Sequence, residues 1–318
     1  MYNNSMHVLA FSYGKNLFDN SHLERERMQA CATATTELRM IIFARDCEGL
    51  SVTKDGNLYL YPTGGRTKVG MLVRALLLGG RLLRAQNLPE EWVITTQDPF
   101  EAGLVGYILA RLFNVPLNIQ EHGDFFSTPH WRLESTFNCG RSWLGRFLLR
   151  RADTVRVVST RMLTTMARLG VDKTKLRLLS VSVPLSRFLE ASSSLVARKL
   201  FPANSVIILT VARLVAQKNL PLLLQSFASV SQGNKAARLL IVGTGPEQMK
   251  LTKLATDLGL LEPTDPKVIF LPWTDDVPGY MKSVDIYALS SNYEGYARVI
   301  PEAMAAGLPI IMLSLIHI

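Results

Sequence analysis

The sequence predicts an α/β protein built from two doubly wound parallel sheets in tandem, and three observations carry that prediction. Short runs rich in Val, Ile and Leu alternate with helix-length stretches, the pattern of strands covered on both faces by crossover helices. The alternation breaks at Val183–Ser205 and then starts again. At 318 residues the chain also exceeds what one hydrophobic core usually supports. These place a first domain at residues 1–194 and a second at 195–318, with the boundary near Leu195.

In the first series the expected strands are HVLAFS (His7–Ser12), MIIFAR (Met40–Arg45), WVITTQ (Trp92–Gln97), PLNIQEHG (Pro116–Gly123) and TVRVVS (Thr154–Ser159). Helical stretches fall at Val69–Arg84, Phe100–Phe113 and Thr160–Leu169. RSWLGRFLLRRA (Arg141–Ala152) reads as a further helix, with Trp143, Leu144, Phe147 and Leu148 on one side and arginines on the others. The second series is VIILTVAR (Val206–Arg213), LLIVGTG (Leu239–Gly245), VIFLPW (Val268–Trp273) and DIYALSS (Asp285–Ser291).

Composition narrows the class of partner. Apolar residues make up 48% and charged residues 19%, which excludes a disordered chain. Cys31, Cys47 and Cys139 are widely spaced, suggest neither a disulfide framework nor a zinc site, and fit a reducing cytosol. No basic start followed by an apolar run opens the chain, and its most apolar stretch, Val69–Leu83, is interrupted by Arg74 and Arg81, so neither a signal peptide nor a spanning helix is expected. The net charge of +9 is uneven, with +7 over residues 1–190 and +2 over the rest. Arg132–Arg187 alone holds 12 basic and three acidic residues. The Arg141–Ala152 helix could lie on an anionic membrane surface or hold a phosphorylated acceptor, but an ordinary surface helix packed on the core is the favoured reading. Nucleic acid is not expected, because no aromatic-interleaved basic ladder accompanies the charge.

Ligands of doubly wound sheets bind beyond the carboxyl ends of the strands, so residues just after each strand matter most. Arg213 ends one strand and Lys218 follows five residues on, beside an expected helix start; cations there suit a diphosphate, although solvated loop charges would look the same. LLIVGTGPEQMKL joins a strand to a helix through Gly-Thr-Gly-Pro, a weak signal alone. NYEGYARVIPEAMAAGLPII then puts Glu294 in a strand-end loop and Glu302 in the first turn of the next helix, where a carboxylate also occurs simply to meet free amides.

Taken in this order, VARLVAQKN, IVGTGPEQMKL, FLPWTDDVP and EGYARVIPEAMAAGLPI resemble the family 4 glycosyltransferases, retaining nucleotide-sugar-dependent enzymes of the GT-B fold. The match is strong over Val206–Ile311 and diffuse before it. The resemblance implies two Rossmann-like domains facing a cleft, the first on the acceptor side and the second binding the nucleotide-sugar. It implies that Arg213 and Lys218 hold the donor diphosphate, that Glu302 meets the ribose hydroxyls, and that Glu294 faces the donor sugar. The amides of Gly295, Tyr296 and Ala297 would line the donor's hydroxyls and phosphate, and His122 of QEHGDFF would touch the sugar near the reaction centre. The donor is a co-substrate; no cofactor and no metal is expected, and Asp275 and Asp276 are not read as ligands. The expected acceptor is a glycan, lipid-linked or other cell-envelope molecule, with the protein cytoplasmic and peripheral at the inner membrane face.

Some residues depart from the family pattern. FSYGKNLFDNSH offers only Gly14 where a glycine-rich loop is usual, and Gly295-Tyr296-Ala297 stands where many members read Gly-Phe-Gly. The ending MLSLIHI does not continue the pattern, so a truncated or frame-shifted second domain is expected, with final residues that are foreign. A sugar-nucleotide epimerase of the same fold and a non-catalytic nucleotide-sugar-binding remnant stand as alternatives.

Overall fold

The computed structural model describes residues 6–19, 23–85, 91–192 and 197–313. The chain folds as two units, Met1–Ser180 and Val181–Ile318. Leu195, the expected boundary, lies outside the described residues, as do residues 314–318 of the anomalous ending. Ahead of it, Phe188 packs into the second unit's core with Val277, Met281 and Ile300.

The first unit runs β1 (His7–Ser12), α1 (Leu23–Thr33), β2 (Glu37–Ile42), β3 (Thr53–Asp55), β4 (Leu58–Pro62), α2 (Lys68–Arg84), β5 (Trp92–Thr96) and α3 (Glu101–Phe113). It continues through β6 (Leu117–Glu121), α4 (His130–Leu133), α5 (Thr136–Arg151), β7 (Thr154–Val157), α6 (Thr160–Arg168) and β8 (Leu176–Leu178). Its sheet has the order β3-β4-β2-β1-β5-β6-β7-β8, parallel throughout except where β3 meets β4. That hairpin was not among the expected strands. Its signal is Asp55-Gly56, since Gly56 supplies the positive φ (55°) that a tight hairpin turn needs.

Two expectations in this unit shift. β2 starts at Glu37 rather than Met40 and ends at Ile42, pairing in register with β1 from His7↔Glu37 to Ser12↔Ile42. The helix expected from Arg141 begins a full turn earlier, where the Ser135 hydroxyl accepts from the Phe137 amide. Its buried side is Asn138, Ser142, Gly145, Leu148 and Leu149, so Trp143 does not join an inward stripe but stands 71% exposed.

The second unit holds α7 (Ser186–Leu189), β9 (Val206–Val211), α8 (Leu220–Gly233), β10 (Ala237–Val242), α9 (Gln248–Asp257) and β11 (Val268–Leu271). α10 (Val277–Met281), β12 (Ile286–Leu289), α11 (Val299–Ala305) and β13 (Ile310–Met312) follow. Its all-parallel sheet has the order β11-β10-β9-β12-β13. β10 is buried along its whole length, as a central parallel strand must be. Two apolar clusters flank the sheet, one around Ile207, Leu240 and Tyr287 and one around Leu224, Phe227 and Leu239. Strand order reverses between β9 and β12, and ligands of open α/β sheets bind beyond the carboxyl ends of the strands at such a switch point.

Candidate active site

The two loops at this switch point carry the predicted residues. Arg213 and Lys218 follow β9, while Glu294, Gly295, Tyr296 and Ala297 follow β12. Because β9 and β12 are paired neighbours (Ile286↔Ile208, Tyr287↔Leu209), both loops leave the same edge of the sheet side by side.

Side chains lace them together. Gln217 Nε2 donates to the Tyr293 carbonyl (3.0 Å), the Asn292 amide donates to the Gln217 carbonyl (2.9 Å), and Asn219 Nδ2 donates to Asn292 Oδ1 (2.9 Å). Ser290 Oγ donates to the Lys218 carbonyl (2.8 Å). Asn219 makes the turn possible by adopting φ 45°, a left-handed conformation that Asn tolerates better than most side chains. At the centre, the Lys218 ammonium is paired with Glu294 Oε1, which also accepts from Ser291 Oγ (2.7 Å). The two side chains are only 16% and 10% exposed, so the pair is held in a largely dry setting. Sequence reasoning gave Lys218 to a diphosphate and Glu294 to a sugar; it did not anticipate that they would pair with each other.

Arg213 is different. Its side chain is exposed and has no ion-pair partner among the described residues, leaving its fork of donors available. Its backbone is fixed from below by the Gly-Thr-Gly turn after β10. Leu214 N donates to the Thr244 carbonyl (2.9 Å), and Glu247 N donates to the Leu214 carbonyl (3.1 Å). A Cβ at Gly243 would lie 1.9 Å from the Ala212 oxygen, and one at Gly245 would lie 2.3 Å from the Leu214 oxygen. The glycines thus serve close backbone packing beneath Arg213.

Glu302 lies in the first turn of α11, with Arg298 Nη2 at 4.0 Å. Burial raises its carboxyl above the usual range, against the pull of Arg298 and Arg187. Arg187, on α7, was grouped by sequence with the first domain and carried no motif. The buried Tyr287 hydroxyl donates to the Val211 carbonyl (3.1 Å). Burial pushes that phenol's pKa up, and the charges of Glu302 and Glu294 add to the rise. Among the described residues the amides of Gly295, Tyr296 and Ala297 donate to no protein acceptor. Ala297 has no positive φ, so a methyl group in place of the family's glycine brings no strain, and it packs in the core beside Ile300. Asp276 has a structural task, accepting from the Gly279 amide (3.1 Å) as the cap of α10.

His122 belongs to the first unit and follows β6. Gln120 fixes its proton: Gln120 Nε2 donates to Thr95 Oγ1 (2.9 Å), so Gln120 Oε1 faces Arg156 Nη1 and His122 Nε2, each at 3.0 Å, as acceptor. The ring hydrogen then sits on Nε2 and leaves Nδ1 as an acceptor. Burial, with help from Arg156 and Arg27, lowers the imidazole pKa to about 4, keeping it neutral near pH 7. Two neighbours in QEHGDFF were missed. Glu121 is fully buried, its Oε1 accepting from the Phe125 amide (2.9 Å), and burial raises its pKa to about 8. Asp124, at φ 55° and 1% exposed, is tied to the Ser127 hydroxyl, with Arg161 at 3.5 Å, and burial raises it to about 6. An alternation of hydrophobic and polar residues along a strand hides such carboxylates, because it gives no sign that a strand-end acid turns back into its own loop.

Comparison with solved structures fixes the fold. Sucrose-phosphate synthase from Thermosynechococcus elongatus superposes with a TM-score of 0.78 at 21% identity, over 96% of this chain and 81% of that one. Anabaena HepE in complex with UDP-glucose gives 0.71 at 20% identity, over 96% and 80%. The fold is GT-B, with two Rossmann-like domains. The family model described as glycosyl transferases group 1 matches residues 194–315, and that of the glycosyl transferase 4-like domain matches residues 26–181. The chain belongs to the family 4 glycosyltransferases. The lipopolysaccharide core biosynthesis glycosyltransferase LpsE of Rhizobium meliloti is 32% identical over 110 residues, which is 35% of this chain and 30% of that protein. An Escherichia coli UDP-Gal:alpha-D-GlcNAc-diphosphoundecaprenol alpha-1,3-galactosyltransferase is 27% identical over 70% of this chain and 58% of its own length. The similarity thus spans less than a third of LpsE and about three-fifths of the E. coli enzyme. Among the described residues no helix is long and apolar enough to cross a membrane.

Proposed function

We propose that the protein transfers a sugar, with retention at the anomeric carbon, from a nucleotide-sugar to a glycan, lipid-linked or other cell-envelope acceptor. The observation that carries this reading is the cluster at the β9/β12 switch point. There the Arg213 side chain and three backbone amides without a protein partner among the described residues, the Lys218–Glu294 pair and the helix-borne Glu302 all follow β9 or β12 in the chain. Cations and amides suit the donor's diphosphate, on which negative charge grows as the glycosidic bond breaks, so their stabilisation is greatest in the transition state. Each charge-assisted hydrogen bond is worth roughly 1.5 to 3 kcal/mol, and Arg213 and Lys218 together could supply several powers of ten in rate without a metal ion. Glu302, short of solvent and flanked by two arginines, suits a pair of ribose hydroxyls. Neutral His122, with Nδ1 open, suits a hydroxyl of the donor sugar.

The acceptor class is supported by relatives named for lipopolysaccharide core biosynthesis and for a diphosphoundecaprenol-linked sugar. It is also supported by the outer surface of the first unit. The neighbouring helices α2, α3 and α5 carry nine Lys and Arg against one acid, Glu101, which pairs with Arg141 (2.8 Å). On that surface Trp143 stacks on Phe147, Arg151 lies 3.8 Å over the Phe147 ring, and Arg111 lies over Tyr107. An exposed Trp143 and half-buried aromatic rings interleaved with guanidinium groups suit the headgroup layer of an anionic bilayer.

Incubation with labelled nucleotide-sugars and envelope-lipid extracts tests the reaction. Labelled glycolipid, or slow hydrolysis of the donor, is the expected result. An epimerised nucleotide, or binding without any turnover, would overturn it.

A further inference from the structure

A polar cavity lies wholly within the first unit, at the loop that follows His122. Its volume is about 230 Å³, and its walls include Phe125, Phe126, Thr128, Arg132, Ser142 and Arg146. The loop is pinned there by aromatic packing, with Trp131 stacked on Phe100 at 4.8 Å and Phe125 against both rings. Gly145 lets α5 come close, since a Cβ there would meet the Phe126 ring at 2.7 Å. The cavity is therefore a built feature of the fold.

Its lining is cationic and incompletely satisfied. Every other arginine of α5 has a protein partner: Arg141 binds Glu101, Arg150 Nε donates to the Leu169 carbonyl (2.7 Å), and Arg151 covers Phe147. Arg146 has none among the described residues, and its Nε is buried without an acceptor. The Thr128 hydroxyl is likewise buried without a partner. Arg132, exposed at the rim, also lacks an ion pair among the described residues. Asp124 of the same loop is tied to Ser127 and faces Arg161. Buried donors left unpaired cost free energy, and two guanidinium forks beside hydroxyl groups match the geometry of phosphoryl oxygens.

We propose that this cavity is an oxyanion subsite that takes a phosphate or diphosphate group carried by the acceptor. Arg146 grips it from the floor, Arg132 from the rim, and the Thr128 and Ser142 hydroxyls complete the shell. That the ligand is an acceptor rests on the transfer reading above; that the cavity binds a phosphoryl group does not.

The test is a calorimetric titration of the full chain with inorganic phosphate and pyrophosphate. Arg146→Gln and Arg132→Gln should each weaken phosphate binding about tenfold or more, the loss of one charge-assisted hydrogen bond. Arg146→Lys should recover part of it, while Arg150→Gln should leave phosphate binding unchanged. If Arg146→Gln does not fold, Arg132→Gln on the rim carries the test. Two further arms identify the source of the group: vesicles of phosphatidylcholine containing a polyprenyl diphosphate, and glucose 6-phosphate in solution. Arg146-dependent binding in either arm supports the subsite and names the source. Affinities indifferent to Arg146 and Arg132 in every arm overturn it. Sugar transfer with Arg146-indifferent phosphate binding would sink the subsite alone, whereas Arg146-dependent binding without transfer would sink the enzymatic reading alone.

Discussion

Lys218 and Arg213 sit five residues apart in one loop, yet burial gives them different energetics. Lys218 is enclosed with Glu294, and removing one partner of such a pair strands the other charge away from water. Lys218→Ala should therefore destabilise the protein by about 3 to 5 kcal/mol in urea unfolding, as breaking a buried ion pair does. The double substitution Lys218→Met with Glu294→Gln should recover most of that loss, because no buried charge is left alone, but should not recover donor binding. If the double variant regains both, the pair serves stability only. His122 shows how chemistry can hide at this scale. Its position after β6 was legible from sequence, but its tautomer depends on which way Gln120 is held by Thr95, a residue of another strand. Glu121 and Asp124 stayed invisible for the same reason, since what makes them unusual is burial and not residue type.

Among the elements, the strands leading to the second unit's site were the most legible. β9, β10, β11 and β12 are continuous Val/Ile/Leu-rich runs, and their expected starts fall within two residues of those observed. Less legible were elements whose pairing decides them, such as the β3–β4 hairpin and the short edge strand β8. The Gly-Thr-Gly turn was a weak motif in the sequence and gains its meaning from what lies above it. Gly245→Ala should cost more than about 2 kcal/mol, because its methyl group would collide with backbone that cannot rotate away. It should also weaken donor binding although Arg213 is intact; normal stability would show that the turn is looser than described. The β6 loop makes a pH prediction. Glu121 titrates at about 8 when folded and near the ordinary 4.5 when unfolded, so between those values the folded state holds the extra proton. Stability from this group is present in full below about 4.5 and is lost as pH rises through about 8, with a slope of up to about 1.4 kcal/mol per pH unit. Glu121→Gln should flatten the dependence in urea unfolding from pH 5 to 9; an unchanged profile would show that another group controls it.

For the whole molecule, charge and fold carry separate information. The excess of positive charge in the first 190 residues was plain from composition, but composition could not say that Trp143, Phe137 and Leu112 would stand exposed beside the arginines. Sedimentation with phosphatidylglycerol vesicles should show binding that weakens with salt and drops after Trp143→Ser with Arg151→Gln, while phosphatidylcholine vesicles should bind poorly. Equal binding to both lipids would remove the electrostatic account. The GT-B architecture was legible because four short motifs fall in register at strand ends, each ambiguous alone and together consistent with one topology. Everything functional then depends on whether those strand ends grip a diphosphate. Titration of the protein and its Arg213→Ala variant with a panel of nucleoside diphosphates tests this most directly, since an exposed, unpaired side chain can be removed within about 0.5 kcal/mol of stability. The expected result is binding of at least one of them by the parent chain and a loss of about tenfold or more in the variant, at an unchanged melting temperature. Equal affinity in the two proteins, or no binding of any nucleoside diphosphate, would contradict it.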